Sequence, residues 1–395
     1  MNERNKYDVV VYGATGFTGR LVAEYLGKTY PEGASEKVTW AMAGRSLSKL
    51  EQVRDELNLD HNIDLLVADS SDESAVSALV QRTKVILTTV GPYQLYGEKL
   101  LSSCVDSGKG YVDLCGEPAW MHQMINKYQD KAEQTGANII FSCGFDSIPF
   151  DLGVFFLQQK VIKETGSPLS YVKGRVRKMQ GTFSGGTAAS LKATMVAAKQ
   201  DKSVMQALIN PYSLATSDVL VDQPRGDKPY FDDALNSWAA PFIMAAINTK
   251  NVHRTNYLLG YLYGKDFKYD EMMLTGPGEK GEAIANHVAN DKSLGSDGGP
   301  KPGEGPSKEE RDNGFYDVLF VGETKGGETY SSSVAGYVDP GYGSTSRMIA
   351  ESAICLSYMA KDMKGGFYTS APAMGNELIK RLEEKAELVF KHEDI

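Results

Sequence analysis

Hydrophobic and polar positions fall into blocks along the first part of the chain, and the period of the pattern changes from block to block. Short apolar runs at residues 7–12, 38–43, 63–67, 84–89, 110–114 and 138–142 predict strands. Several are apolar almost without interruption, as in Lys84-Val85-Ile86-Leu87-Thr88-Thr89-Val90 and Ala137-Asn138-Ile139-Ile140-Phe141. That is the pattern of strands covered on both faces. Helical spacing fills the intervals, at about 17–28, 46–57, 73–81, 95–108 and 119–135. Alternation of this kind predicts an α/β fold, a Rossmann-type doubly wound parallel sheet with right-handed crossovers. Its ligand belongs at the carboxyl ends of the strands, near the switch point.

After Leu157 the alternation stops. Residues 169–180 and 313–338 read as β, with period two in Lys173-Gly174-Arg175-Val176-Arg177-Lys178, and helical patterns occupy 186–208, 239–263 and 344–362. The mixture predicts a second, α+β domain. Residues 1–157 are therefore expected to form the nucleotide-binding domain and 158–343 a substrate or dimerisation domain, with the C-terminal helices of about 344–395 packing back on the first. Residues 276–306 are rich in Gly, Pro, Ser, Lys and Glu. They can bury little, which predicts a flexible loop or crossover.

The first strand runs into Gly13-Ala14-Thr15-Gly16-Phe17-Thr18-Gly19, and a helix carrying Leu21, Val22, Tyr25 and Leu26 follows at once. Glycines allow a tight turn and close approach to a pyrophosphate, and the helix N-terminus offers unpaired N–H groups. Strand, glycine turn and helix together give the dinucleotide motif its specificity. The second strand ends Ala43-Gly44-Arg45-Ser46 with no acidic residue. An acid there would suit a ribose 2′-OH, whereas Arg45 suits a 2′-phosphate and Ser46 can donate to it or cap the next helix. NADP(H) is the expected cofactor. Asp69 is placed either at the adenine edge or as a cap for the helix starting near Asp72. Gly91 and Pro92 mark the turn where the nicotinamide half should lie, or an ordinary tight turn.

Composition narrows the class. With 42% hydrophobic and 24% charged residues the chain is that of a globular protein, and a net charge of −9 argues against a nucleic-acid surface. No apolar run approaches the length of a membrane span, and the chain enters its first strand almost directly, so neither a span nor a signal peptide is expected. Cys104, Cys115, Cys143 and Cys355 show no C-x-x-C spacing and the five histidines no H-x-x-H. Buried, reduced thiols in a cytoplasmic protein without metal are the expectation.

The motifs resemble those of the saccharopine dehydrogenase-like oxidoreductases, and more closely their trans-acting enoyl reductase branch. Those that carry the resemblance are G-A-T-G-F-T-G at 13–19, A-G-R-S at 43–46, T-T-V-G-P-Y at 88–93, Tyr111-Val112-Asp113-Leu114 with Gly116-Glu117, and Cys143-Gly144-Phe145-Asp146-Ser147-Ile148-Pro149. Ser184-Gly185-Gly186-Thr187, Gly341-Tyr342 with Thr345-Ser346, and Ala371-Pro372-Ala373-Met374-Gly375 extend it over nearly the whole chain. The resemblance implies an NADP-binding Rossmann domain, a second α/β domain, and reduction of an enoyl double bond on a lipid or polyketide precursor, free or carrier-bound. Relatives often carry a membrane-seeking apolar stretch where this chain has its polar 276–306 segment.

Enoyl reduction requires a donor to the enolate oxygen and a proton for the α-carbon. Tyr93 and Tyr96, just past the fourth strand, could donate, or could pack in the core. Glu117 and Asp146 follow the fifth and sixth strands, each a candidate general acid or nicotinamide-amide contact, and Asp146 equally a helix cap. The Ser184–Thr187 turn could cradle an oxyanion or simply begin a helix. Tyr261 and Lys265 have the spacing of a short-chain reductase pair but lie outside the alternating region. Two other functions stay open. An amino-acid or imine dehydrogenase would turn Arg175, Arg177 and Lys178 toward the nicotinamide, and an NADP(H)-binding sensor would lack a proton donor.

Overall fold

The computed structural model describes residues 5–182, 185–215, 221–291 and 303–394. Strands β1 (Tyr7–Tyr12), β2 (Trp40–Gly44), β3 (Asp64–Val67), β4 (Thr83–Thr88), β5 (Gly110–Val112) and β6 (Asn138–Ile140) follow the predicted order. Between them run α1 (Phe17–Thr29), α2 (Leu47–Glu56), α3 (Glu73–Gln81), the single turn α4 (Tyr93–Tyr96), α5 (Glu98–Asp106) and α6 (Pro118–Thr135). The chain continues through α7 (Ile148–Thr165), β7 (Tyr171–Gln180), α8 (Gly185–Gln200), α9 (Lys202–Ile209), β8 (Tyr230–Asp232), β9 (Ser237–Pro241), α10 (Ala245–Leu258), β10 (Lys268–Gly276) and α11 (Gly278–Asn290). It ends with α12 (Lys308–Asp312), β11 (Phe315–Glu323), β12 (Thr329–Gly336), α13 (Thr345–Met359), β13 (Gly366–Tyr368), α14 (Ser370–Lys385) and β14 (Val389–Glu393).

Two seven-stranded sheets result. The first has the order β13-β6-β5-β4-β1-β2-β3, and every pair in it is parallel. Its direction of winding reverses between β1 and β4, which places the ligand crevice at their carboxyl ends. β1 is buried along its whole length, and the runs in β4 and β5 nearly so. The second sheet has the order β14-β12-β11-β7-β10-β9-β8. Only β7 and β10 pair parallel in it. Helix α13 packs on β4, β5 and α1, so the last part of the chain covers the first sheet, while β14 completes the second.

Two expectations are corrected. The predicted helix at 239–263 begins as strand β9, and α10 starts only at Ala245. Pro241 cannot sit in a helix interior, and the Trp238–Ala240 run finds ladder partners in both β8 and β10. The segment 276–306 is not loop throughout, since 278–290 form α11 against β9 and β10. There Gly281 lets the helix approach Gly276, whose carbonyl oxygen would lie 1.9 Å from any β-carbon. Residues 292–302 lie outside the described residues. Strands β8, β10, β13 and β14 carried no pattern that the sequence resolved.

Candidate functional site

The glycine turn sits at the switch point. Gly13 has φ +91°, a conformation natural to glycine, and a β-carbon there would strike Val90 Cγ2 at 2.6 Å. Gly16 is the N-cap of α1 with no side chain over the helix end, and Gly19 lets the helix lie against Gly13. The turn therefore leaves the first N–H groups of α1 open, facing a cavity of about 700 Å³. Gly13, Thr15, Gly16, Phe17 and Thr18 all line that cavity. Phe17 is pinned by Tyr342 edge-on at 5.2 Å and by the Arg311 guanidinium over its face, so its ring supports the turn.

At the end of β2, Arg45 lines the cavity, is exposed, and makes no hydrogen bond or ion pair within the described chain. An unpaired guanidinium at this place is what a 2′-phosphate requires. Ser46 caps α2, accepting from Lys49 N at 3.4 Å, and stands just outside the cavity lining. Asp69 also stands outside it, its carboxylate accepting from Ser71 N and Ser71 Oγ, and these bonds hold its pKa below the ordinary value. The helix cap is Asp72, not Asp69. The cavity neighbour at this end is Ser70, which the sequence analysis passed over.

On the nicotinamide side Gly91 lines the cavity, and Pro92, joined to it by a cis peptide, begins α4. Tyr93 lines the cavity with its ring, but its hydroxyl is engaged. It donates to Thr88 O at 3.2 Å and accepts from Leu114 N at 3.1 Å, and burial pushes its pKa well up. Glu117, a candidate general acid or nicotinamide-amide contact, is engaged by backbone: its oxygens accept from Tyr93 N and Gln94 N, each at 2.9 Å, and it is not among the residues that line the cavity. Tyr96 lines the mouth of the cavity and is half exposed.

Asp146 is the carboxyl the structure brings to the cavity. It lies in the loop after β6, and that loop is fixed from several sides. Asp113 accepts from Ser142 N, Thr345 Oγ1 accepts from Phe145 N at 2.9 Å, and Ser147 Oγ joins Asn248 and Asn251 on α10. Gly144 packs so tightly that a β-carbon would lie 2.8 Å from Leu114. Ser147 carries φ +150°, an observed strain next to a candidate catalytic group. Asp146 itself has no hydrogen-bond or ion-pair partner among the described residues and caps nothing. Desolvation raises its pKa to about 6. A carboxyl poised near neutrality and free of partners is equipped for proton transfer.

Thr187, from the candidate oxyanion turn, and Tyr342 were not paired by the sequence, and the fold brings them together. Thr187 Oγ1 and the Tyr342 hydroxyl meet at 3.1 Å, although 155 residues separate them, and both line the cavity. Of the Ser184–Thr187 turn, Ser184 lies outside the described residues. The apolar part of the lining, called here the apolar arm, comprises Met179, Leu191, Leu208, Phe242, Ile243 and Ile247. Among the described residues only Arg45, Asp146 and Glu304 bring charge to the lining. The arginines considered as a carboxylate clamp are committed elsewhere: Arg175 to Asp270 and Asp232, Arg177 to Asp317 and Glu393. Lys178 is exposed and, like Tyr261 and Lys265, takes no part in the cavity.

Glycine cradle, open helix end and free Arg45 fit NADP(H), and fold and site define an NADP-dependent oxidoreductase. Residues 9–140 match the saccharopine dehydrogenase NADP-binding domain. A Mycobacterium tuberculosis protein named for trans-acting enoyl reductase function is 36% identical over 405 aligned residues, covering 95% of each chain. The trans-acting enoyl reductase of Mycobacterium ulcerans is 32% identical, with 98% of each chain covered. The chain belongs to this trans-acting enoyl reductase family. Yeast saccharopine dehydrogenase (L-Glu forming) shares the fold, with a TM-score of 0.53 at 11% identity over 99% of this chain and 100% of that one. Among the described residues no helix is long and apolar enough to cross a membrane.

Proposed function

We propose that the protein uses NADPH to reduce the enoyl double bond of a neutral, lipid-like substrate, free or held as a thioester. The observation that carries this is a single cavity lined both by Asp146, a carboxyl without a hydrogen-bond or ion-pair partner among the described residues, and by the apolar arm, which holds no cation. A substrate carboxylate would find no counter-charge in that arm, whereas an acyl chain gains burial at about 25 cal/mol per Å² of apolar surface. The names of the relatives point the same way.

In this scheme Gly13, Gly16 and the first turn of α1 hold the diphosphate, and Arg45 holds the 2′-phosphate. The bound cofactor supplies the hydride. Asp146 holds a proton at its carboxyl and delivers it to the substrate α-carbon. The Thr187–Tyr342 hydroxyl pair, 3.1 Å apart, donates to the oxygen on which negative charge develops. Apolar walls exclude water from the reacting carbon. Purified protein mixed with NADPH and a series of trans-2-enoyl thioesters should consume the reduced cofactor and yield the saturated acyl product. Tight NADPH binding without oxidation on any enoyl substrate removes the proposal.

A further inference from the structure

Helix α10 carries two cations one turn apart, Lys250 and Arg254, each only 3% exposed. Among the described residues neither meets a carboxylate. Lys250 Nζ donates to the carbonyls of Leu208 and Ala246, both at 2.9 Å, and Arg254 donates to the carbonyls of Leu214 and Phe367. Burial lowers the Lys250 amine to about 8. An ammonium taken out of water for two carbonyls is an expensive way to fill space, since a Leu or Met stem would pack as well.

The position of the carbonyls gives the reason. Leu208 lies in the last turn of α9, where carbonyls have no helical partner and carry the negative end of the helix dipole. Ala246 lies in the first turn of α10. Leu208 and Ala246 both line the cavity. Helix α9 is otherwise seated on α6 and α8, with Val204, Ala207 and Leu208 against Ala119 and Ala198, while its Met205 and Ile209 are exposed. Among the described residues the bond from Lys250 to the Leu208 carbonyl is the side-chain hydrogen bond that ties α9 to α10.

With the arm assigned to the substrate's apolar chain, as proposed above, we infer that Lys250 is a specificity-determining positioning residue: its ammonium bridges α9 to α10 and sets the width of the arm, and so the length and bulk of acyl chain admitted. The side chain does not touch substrate. It acts through Leu208 and Ala246.

The test is acyl binding to the full protein loaded with NADP+, which cannot donate a hydride, read by intrinsic tryptophan fluorescence with a butenoyl and a hexadecenoyl pantetheine thioester as probes. Lys250→Met keeps the stem and removes both hydrogen bonds; Lys250→Arg keeps the charge on a broader head. The ratio of the two dissociation constants should change by about tenfold in Lys250→Met, the loss expected for charge-assisted bonds, and return part of the way in Lys250→Arg. NADPH affinity should stay at the wild-type value. An unchanged ratio in a folded Lys250→Met overturns the inference. Should that variant fail to fold, an unchanged ratio in Lys250→Arg overturns it equally. Because binding rather than turnover is read, selective acyl binding that shifts in the variants without any NADPH oxidation keeps the role of Lys250 and removes enoyl reduction. Turnover with unshifted ratios does the reverse.

Discussion

Gly19 lies directly beneath the carbonyl of Gly13, so close that a β-carbon on residue 19 would sit 2.1 Å from the Gly13 oxygen. The contact locks the first helix to the turn that faces the cavity, and no rotamer choice can relieve it because both partners are backbone. Gly19→Ala should therefore push α1 away from the turn. A loss of about 1–3 kcal/mol in stability is expected for an overpacked backbone contact, together with a sharp loss of NADPH affinity. Gly16→Ala is the control. Its β-carbon would lie 3.3 Å from the same oxygen, a contact that small shifts can absorb. Thermal melts of the two variants should separate clearly, whereas both should weaken NADPH, since Gly16 belongs to the diphosphate cradle; equal losses of stability would remove the locking role of Gly19.

Arg45 has no partner in the described chain, so its removal should cost the fold little, within about 0.5 kcal/mol as at other surface positions. The cost should fall on the cofactor. Hydrogen bonds to a charged group contribute about 1.5–3 kcal/mol, which predicts at least a tenfold weaker Kd for NADPH in Arg45→Ala. NADH, lacking the 2′-phosphate, should bind the variant as it binds the wild type. Side-by-side titration with both nucleotides checks this, and an equal loss for NADH would place Arg45 on the shared part of the cofactor.

Glu271 gives a prediction about pH and stability. Its carboxyl is fully buried in β10, accepts one bond from Asn248 Nδ2 at 2.9 Å, and leaves Oε1 without a hydrogen-bond partner. Desolvation raises its pKa from 4.5 to about 8. The folded protein thus holds this proton more tightly than the unfolded chain does. The stability that this gives is complete below about pH 4.5 and declines as pH rises toward 8, the reverse of a salt-bridged carboxylate. Glu271→Gln, neutral at every pH, should flatten that decline. Urea unfolding of both proteins from pH 5 to 9 should show curves that diverge with rising pH, the variant becoming relatively more stable. Parallel curves would mean that Glu271 is ionised in the fold.

The parts of the fold and site that were legible in the sequence are those in which neighbours along the chain supply the chemistry. Gly13, Gly16 and Gly19 follow an apolar strand and open a helix, so turn, cradle and dipole can be read from one short stretch. Arg45 was legible because the end of β2 is a known place in this fold. Strand β10 was hidden by Asp270 and Glu271, which look solvent-bound in sequence yet are buried against Arg175 and Asn248 from other elements. The alternatives open for Glu117 and Tyr93 could not be separated in the sequence for a related reason: what engages them are backbone groups of residues 88, 93, 94 and 114. The Thr187–Tyr342 pair exists only through tertiary folding, which no local pattern announces. Strand β9 shows the same limit, since pairing on both edges decided a segment whose own preference was weak.

Asp146 carries the last prediction and the most demanding one. It lines the cavity without a hydrogen-bond or ion-pair partner among the described residues, and desolvation moves its pKa from 3.8 to about 6. If this group delivers the proton, Asp146→Asn removes a general acid and should lower turnover by about 10²–10⁴-fold. NADPH affinity should hardly change, because Gly13, Gly16 and Arg45 are untouched. The wild-type rate should fall as pH rises through about 6, where the donating form is lost, and the residual rate of the variant should lose that inflection. Stability must move with the same sign. A folded pKa above the unfolded value means that Asp146 destabilises the fold progressively between about pH 4 and 6, so Asp146→Asn should match the wild type in acid and exceed it at neutrality. Rate profiles of kcat against pH and melting curves of the same two proteins test both halves. A variant that keeps both the rate and the inflection would transfer the proton-donor role to another group, with the Tyr342 hydroxyl first in line, since it stands in the same cavity beside Thr187.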